Sequence, residues 1–166
     1  MLKIISNKAS LLLVCFTLIL SGCGKKKIVN ENNYTQEIDR EQKSTNSIKL
    51  IREFQDYIHE KILFNFDDDE ISEEMKRKLD KQIEWIISHP ELNNIIIEGH
   101  CDQVGSREYN ISLGERRAES VRRYMIDKGI SHDILSTASH GKDKPEIFGS
   151  SDEINAQNRR CLTIIK

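Results

Sequence analysis

Residues 95–125 read IIIEGHCDQVGSREYNISLGERRAESVRRYM, and this stretch decides the fold. Ile95, Ile96 and Ile97 are β-branched and apolar, which suits a buried strand. Residues 102–105 (DQVG) carry turn chemistry, with Gly105 free to take positive φ. Ser106 stands where a helix needs its N-cap. Beyond it, at about 100° per residue, Leu113, Val121 and Tyr124 share one stripe, flanked by Gly114, Ala118 and Met125. The stretch therefore predicts a strand, a polar loop and an amphipathic helix.

Asn110 and Arg117 fall on that same stripe, whereas Arg116, Glu119, Arg122 and Arg123 point elsewhere. A core-facing arginine without a partner is costly. Arg117 is thus expected to face a carboxylate, and Asp102 at the strand end is the nearest in sequence. Two readings follow. One is a structural Asp102–Arg117 bridge between strand and helix. The other is a split pair in which Asp102 holds an ammonium and Arg117 a carboxylate of a zwitterionic ligand. Arginine suits the second task because its fork binds carboxylates bidentately.

The pattern G-H-x-D-x-x-G-x-x-x-Y-N-x-x-L-G-x-R-R-A-x-x-V runs without a gap from Gly99 through His100, Asp102, Gly105, Tyr109, Asn110, Leu113, Gly114, Arg116, Arg117 and Ala118 to Val121. It closely resembles the OmpA-like peptidoglycan-binding domain, in the form found in peptidoglycan-associated lipoproteins. The resemblance covers residues 61–166. It implies an α/β (α+β) fold, a βαβαββ mixed four-stranded sheet with helices packed on one face. It also implies non-covalent binding of the diaminopimelate residue of the peptidoglycan stem peptide, with no catalytic step. Asp102 and Arg117 would hold that ligand, and Asn110 and Asp67 would assist. Asp67 enters because the family has an aromatic-x-Asp step after its first strand, which Phe66 and Asp67 approximate. Phe66, Cys101, Leu113 and Arg160, the last from an Asn-Arg-Arg step, are further contacts the resemblance suggests. Where this chain has His140 the family more often has tyrosine, and where it has Cys101 a small residue or threonine. The implied protein partner is the periplasmic β-propeller protein of the Tol envelope system. The rival expectation is an envelope interaction module in which Asp102 and Arg117 are only structural.

The N-terminus sets the compartment. Lys3 and Lys8 precede a short apolar run over residues 9–20, too short to span a bilayer but suited to a signal peptide. The run ends in Leu20-Ser21-Gly22-Cys23, which resembles a bacterial lipobox. Residues 1–22 are expected to be removed and Cys23 to be lipidated. Gly24 after that cysteine implies, again by resemblance, sorting to the outer membrane, with the domain facing the periplasm. Buried lipid stabilises anchoring by about 0.8 kcal/mol per CH₂. Residues 24–47 are polar and read as a flexible tether, roughly 80 Å long when fully stretched.

The chain of 166 residues has room for one domain and appendages, and its net charge of −2 with no basic stripe gives no sign of nucleic-acid binding. Residues 48–60 carry Ile48, Ile51, Phe54, Tyr57 and Ile58 and predict a short amphipathic helix. Residues 61–66 (KILFNF) predict the first strand, and the acidic run after it a solvated turn. Ser72, followed by Met75, Leu79, Ile83, Ile86 and Ile87, predicts a second helix with one buried face, ended by His89-Pro90. Residues 134–140 and 159–165 predict the remaining strands, with about one helical turn over 152–157 between them.

Catalysis and metal binding are not expected. His100, Cys101 and Asp102 are consecutive, so a strand would point them to alternate faces. His100 and Asp102 would share a face, and His140 could join them, but without metal-motif spacing. Cys101 and Cys161 are expected as free thiols. Cys101 falls in step with Ile95 and Ile97, whereas Cys161 alternates against Leu162 and Ile164.

Overall fold

The computed structural model describes residues 31–58 and 60–166. The expected signal peptide, Cys23, the first part of the expected tether and the side chain of Tyr57 lie outside the described residues. The chain divides into two units, Met1–Ile38 and Asp39–Lys166, and the second carries the sheet. Among the described residues no helix is long and apolar enough to cross a membrane.

Helix α1 runs over Glu31–Glu53 and widens into a π turn at Phe54–Ile58. Residues 31–47 of the expected tether thus lie in a helix. The physical reason is composition: residues 31–60 hold no Gly or Pro and many Glu, Gln, Lys and Arg, all good helix formers. Helix rises only about 1.5 Å per residue, so the segment reaches less far than an extended chain. Residues 40–49 are exposed, Ile48 among them, whereas Phe54 is buried and Leu50, Ile51 and Ile58 pack against the core.

Strand β1 is only Ile62–Leu63, shorter than the six residues expected. Its ladder ends where Phe64 N donates to Arg159 O at 2.8 Å. Asp67 then takes a left-handed φ of 55° and turns the chain away, a conformation Asp tolerates better than most residues. Helix α2 (Glu73–Ile87) starts at Ser72, whose hydroxyl accepts from Met75 N. It buries Met75, Leu79, Ile83 and Ile86 as expected, and also Trp85 and Gln82, while Ile87 is exposed. Gln82 is tolerated because it donates to Glu60 O and accepts from Thr163 Oγ1.

Strand β2 (Ile95–His100), helix α3 (Arg107–Asp127) and strand β3 (Leu135–Gly141) form the central β–α–β unit. Helix α4 (Asp152–Asn158) and strand β4 (Arg160–Ile165) complete the chain. The sheet order is β1-β4-β2-β3, with β2 parallel to β3 and β4 antiparallel to both β1 and β2. It is the mixed four-stranded sheet with helices on one face.

The pairing of β4 corrects the expected parity. Ile95, Ile97 and Gly99 stand opposite Ile165, Thr163 and Cys161. Paired residues share a face, so Cys161 faces the helices together with Thr163 and Ile165, and all three are buried. Leu162 and Ile164, although more apolar than Thr163, lie on the open face and are only partly covered. Cys101 and Cys161 are free thiols all the same.

Helix α3 sits on β2 with backbone touching backbone. A Cβ at Gly99 would lie 1.9 Å from Gly114 O, and one at Gly114 would lie 2.4 Å from Ser139 Oγ. The two glycines let the start of α3 close over the end of β2.

Candidate ligand-binding site

The close approach leaves a cavity of about 120 Å³ at the end of β2. Its wall includes Asp102, Val104 and Gly105 from the loop, Tyr109, Asn110, Leu113 and Arg117 from α3, and Phe66 and Asp67 from the turn after β1. Cys101 and Arg159 complete it. The structure therefore brings together Asp102, Arg117, Asn110, Asp67, Phe66, Cys101 and Leu113. It does not bring Arg160, whose side chain is buried elsewhere with its Nε 3.1 Å from Glu146. Of the two arginines in the Asn-Arg-Arg step, it is Arg159 that lines the cavity.

The loop is held by its own polar groups. Asp102 Oδ1 accepts from Val104 N at 3.1 Å. Asn110 donates through Nδ2 to Val104 O at 2.7 Å and Ser106 O at 3.0 Å. Ser106 caps α3 by accepting from Tyr109 N. Tyr109 in turn donates its hydroxyl to Asp67, and that bond raises the tyrosine pKa above its usual value. The amide N–H groups of Asn110 are thus engaged, and its carbonyl oxygen is the group it has left to offer.

Arg117 is fully buried, as its place on the apolar stripe predicted, but its partner is not Asp102. Nε donates to Asp68 O at 2.7 Å, Nη2 to Asn65 O at 2.9 Å and Nη1 to His100 O at 3.2 Å. The Phe64 ring lies 5.1 Å beneath the guanidinium. Backbone carbonyls offer partial negative charge without a second desolvated ion. Burial still lowers the Arg117 pKa from its ordinary value. Nη1 also reaches Cys101 Sγ at 3.5 Å, so the side chain pins the acidic turn to the end of β2 and keeps one Nη2 N–H uncommitted beside the cavity it lines.

Asp102 pairs with Arg159 instead, Nη1 to Oδ2 at 3.0 Å. Arg159 also donates Nε to Phe64 O at 3.1 Å. Two of its five N–H groups are so engaged, which leaves most of the fork available. The cleft thus sets a carboxylate between two arginines, one locked into backbone carbonyls and one largely open. Sequence reasoning missed Arg159 because Asn158-Arg159-Arg160 gives no sign of which arginine leads the strand. The start of β4 at Arg160 decides it.

Cys101 brings the one thiol among the residues that line the cavity. Burial raises its pKa, and it donates to Asn110 O at 3.3 Å. His100, its neighbour, sits on the other face of the sheet with its pKa pushed down to about 4, chiefly by burial. It cannot serve Cys101 as a base. Nor does it share surroundings with Asp102, which the loop swings into the cavity.

Comparison with known proteins agrees with this architecture. Residues 63–159 match the OmpA family. A peptidoglycan-associated lipoprotein of Rhizobium meliloti is 30% identical over 99% of this chain and 91% of its own. The crystal structure of the peptidoglycan-associated lipoprotein from Burkholderia pseudomallei superposes with a TM-score of 0.61 at 33% identity, covering 64% of this chain and 89% of that one. The C-terminal domain of Helicobacter pylori MotB shares the fold at a TM-score of 0.61 and 23% identity, over 64% of this chain and 84% of its own. The chain belongs to the OmpA family, among its peptidoglycan-associated lipoproteins.

Proposed function

We propose that this protein, anchored in the outer membrane by lipid on Cys23, binds peptidoglycan non-covalently and tethers the membrane to the wall. The ligand is the free end of diaminopimelate in the stem peptide, a carbon bearing one ammonium and one carboxylate. The observation that carries this reading is the cleft in which Asp102 stands against Arg159 and Arg117. Opposite charges held a few ångströms apart complement a zwitterion, and arginine binds carboxylates through a planar fork. About 120 Å³ suits one end of an amino acid rather than a whole peptide. Asp102 and the Asn110 carbonyl take the ammonium. Arg159 takes the carboxylate, helped by the one uncommitted N–H of Arg117, and Phe66, exposed at the mouth, covers the methylene chain. The names of the relatives support the wall as target. Within the envelope the protein works with the Tol system, through its periplasmic β-propeller protein.

One observation favours the rival reading: Asp102 and Arg159 already satisfy one another. In that case the charges only brace the fold and the surface recruits another envelope protein. Co-sedimentation of the full-length protein with purified peptidoglycan, with free meso-diaminopimelate as competitor, separates the two. Competition supports wall binding through the cleft. Sedimentation that the competitor leaves unchanged, or none at all, favours the rival.

A further inference from the structure

The sheet's open face carries a second polar cluster, remote in function from the cleft. His100 at the end of β2 is 2% exposed, and neither ring nitrogen has a hydrogen-bond partner. The Lys144 backbone lies near enough to favour its protonated form weakly, yet not in hydrogen-bonding geometry. An unmatched buried imidazole is costly and needs a reason. Beside it, Glu98 Oε2 lies 3.8 Å from His100 Nε2 and 3.4 Å from His140 Nε2. The two rings are 5.1 Å apart and tilted. One donor atom from each of the three residues falls within 4.8 Å of the other two.

We infer that Glu98, His100 and His140 form a binding site for a divalent transition ion of the zinc type. Two ligands on a tetrahedral ion, each at about 2.0–2.1 Å, stand roughly 3.3 Å apart. The separations to Glu98, 3.8 and 3.4 Å, are close to that, and the third is within 4.8 Å, so rotation of the exposed-side ligands Glu98 and His140 would close the set. Two imidazoles and a carboxylate are borderline donors that select zinc-like ions over magnesium or calcium. Water would fill the fourth position. The site is reached from the sheet edge, because β3 is an edge strand and His140 is only partly buried.

Two cations lie nearby, and each has somewhere to go. Lys144 Nζ is 3.3 Å from His140 Nε2, but its side chain is exposed and free to swing into solvent. Arg160 is paired with Glu146 at 3.1 Å. The ion would clamp β2 to β3 across their bulge at Gly99/His100, adding stability that grows with free metal.

The test uses full-length protein in detergent, stripped with a chelator and titrated with Zn²⁺ against a chromophoric competitor. Co²⁺ serves as the spectroscopic probe. We expect one equivalent bound, visible Co²⁺ absorption and a thermal midpoint that rises with Zn²⁺. His140→Phe and Glu98→Gln, on different strands and outside the core, should each weaken binding at least tenfold while circular dichroism stays native. Wild type that binds no Zn²⁺ below millimolar concentration, or variants that bind like wild type, would overturn the assignment.

Discussion

Arg159 Nη1 donates to Asp102 Oδ2 at 3.0 Å, and this pair links the residue before β4 to the loop after β2. It joins two segments far apart in sequence at the point where the cleft opens. The Asp102 side chain is only 5% exposed, and its two oxygens are held by Arg159 and by the Val104 amide.

Arg159→Gln should therefore affect both stability and binding. Removing one member of a buried pair strands the other, at a cost of roughly 3 kcal/mol. Asp102→Asn together with Arg159→Gln should recover part of that loss, and a double-mutant cycle in urea measures the coupling. Wall binding should be lost in the single and the double variant alike. Additive stabilities would show that the pair contributes nothing.

Arg117→Met keeps the apolar stem and removes every donor. The carbonyls of Asn65, Asp68 and His100 then lose their partner. At about 1–3 kcal/mol for each buried polar group left unmatched, the total loss should exceed that of Arg159→Gln. Arg117→Lys should recover little, since one ammonium cannot span three carbonyls at the guanidinium's geometry. Equilibrium unfolding gives the ranking. A lysine variant as stable as wild type would contradict this account.

Gly99→Ala should be among the most damaging small substitutions in the chain. Its methyl group would meet Gly114 O at 1.9 Å, a backbone atom that cannot rotate aside. Helix α3 would have to lift from β2, costing about 3 kcal/mol or more and opening the cleft. Gly129, with open space around it, is the comparison for alanine's effect at a positive φ alone. Thermal melts of both variants test this, and a near-native Gly99→Ala would refute the close packing.

Cys101 and Cys161 should resist alkylation in the native protein. Burial raises both thiol pKa values, so little thiolate forms. Unfolded thiols ionise near the ordinary value of 9.0, while the native ones hold their protons. Stability from these two groups is complete below pH 9 and declines as pH rises beyond it. Labelling rates of native and denatured protein, read by mass spectrometry of the peptides containing each cysteine, check the first point. Fast native labelling would show that the core is open.

Much of this architecture was legible in the sequence, for identifiable physical reasons. The run of isoleucines, the Ser106 cap and the helical stripe each act locally, and the structure keeps all three. That Arg117 would be buried followed from its position on the stripe. Its partners did not, because backbone carbonyls carry no sequence signature and Asn65 and Asp68 are brought in by a turn that a left-handed Asp67 creates. Arg159 and the inward-facing Cys161 were hidden for a related cause. Both depend on strand register, and Thr163 takes a core position that hydropathy would have given to Leu162 or Ile164. The extent of α1 was underestimated because the segment lacks an apolar face and declares itself only by its helix-forming composition.

The central claim is that the cleft reads a zwitterion, and calorimetric titration with two synthetic stem peptides tests it most directly. One carries meso-diaminopimelate and the other L-lysine, which lacks only the terminal carboxylate. The full-length protein should bind the diaminopimelate peptide and bind the lysine peptide at least tenfold more weakly, a difference of about 1.4 kcal/mol or more. Asp102→Asn and Arg159→Gln should abolish binding of the first. Equal affinity for both peptides, or undetectable binding of the diaminopimelate peptide by folded wild-type protein, would contradict the assignment.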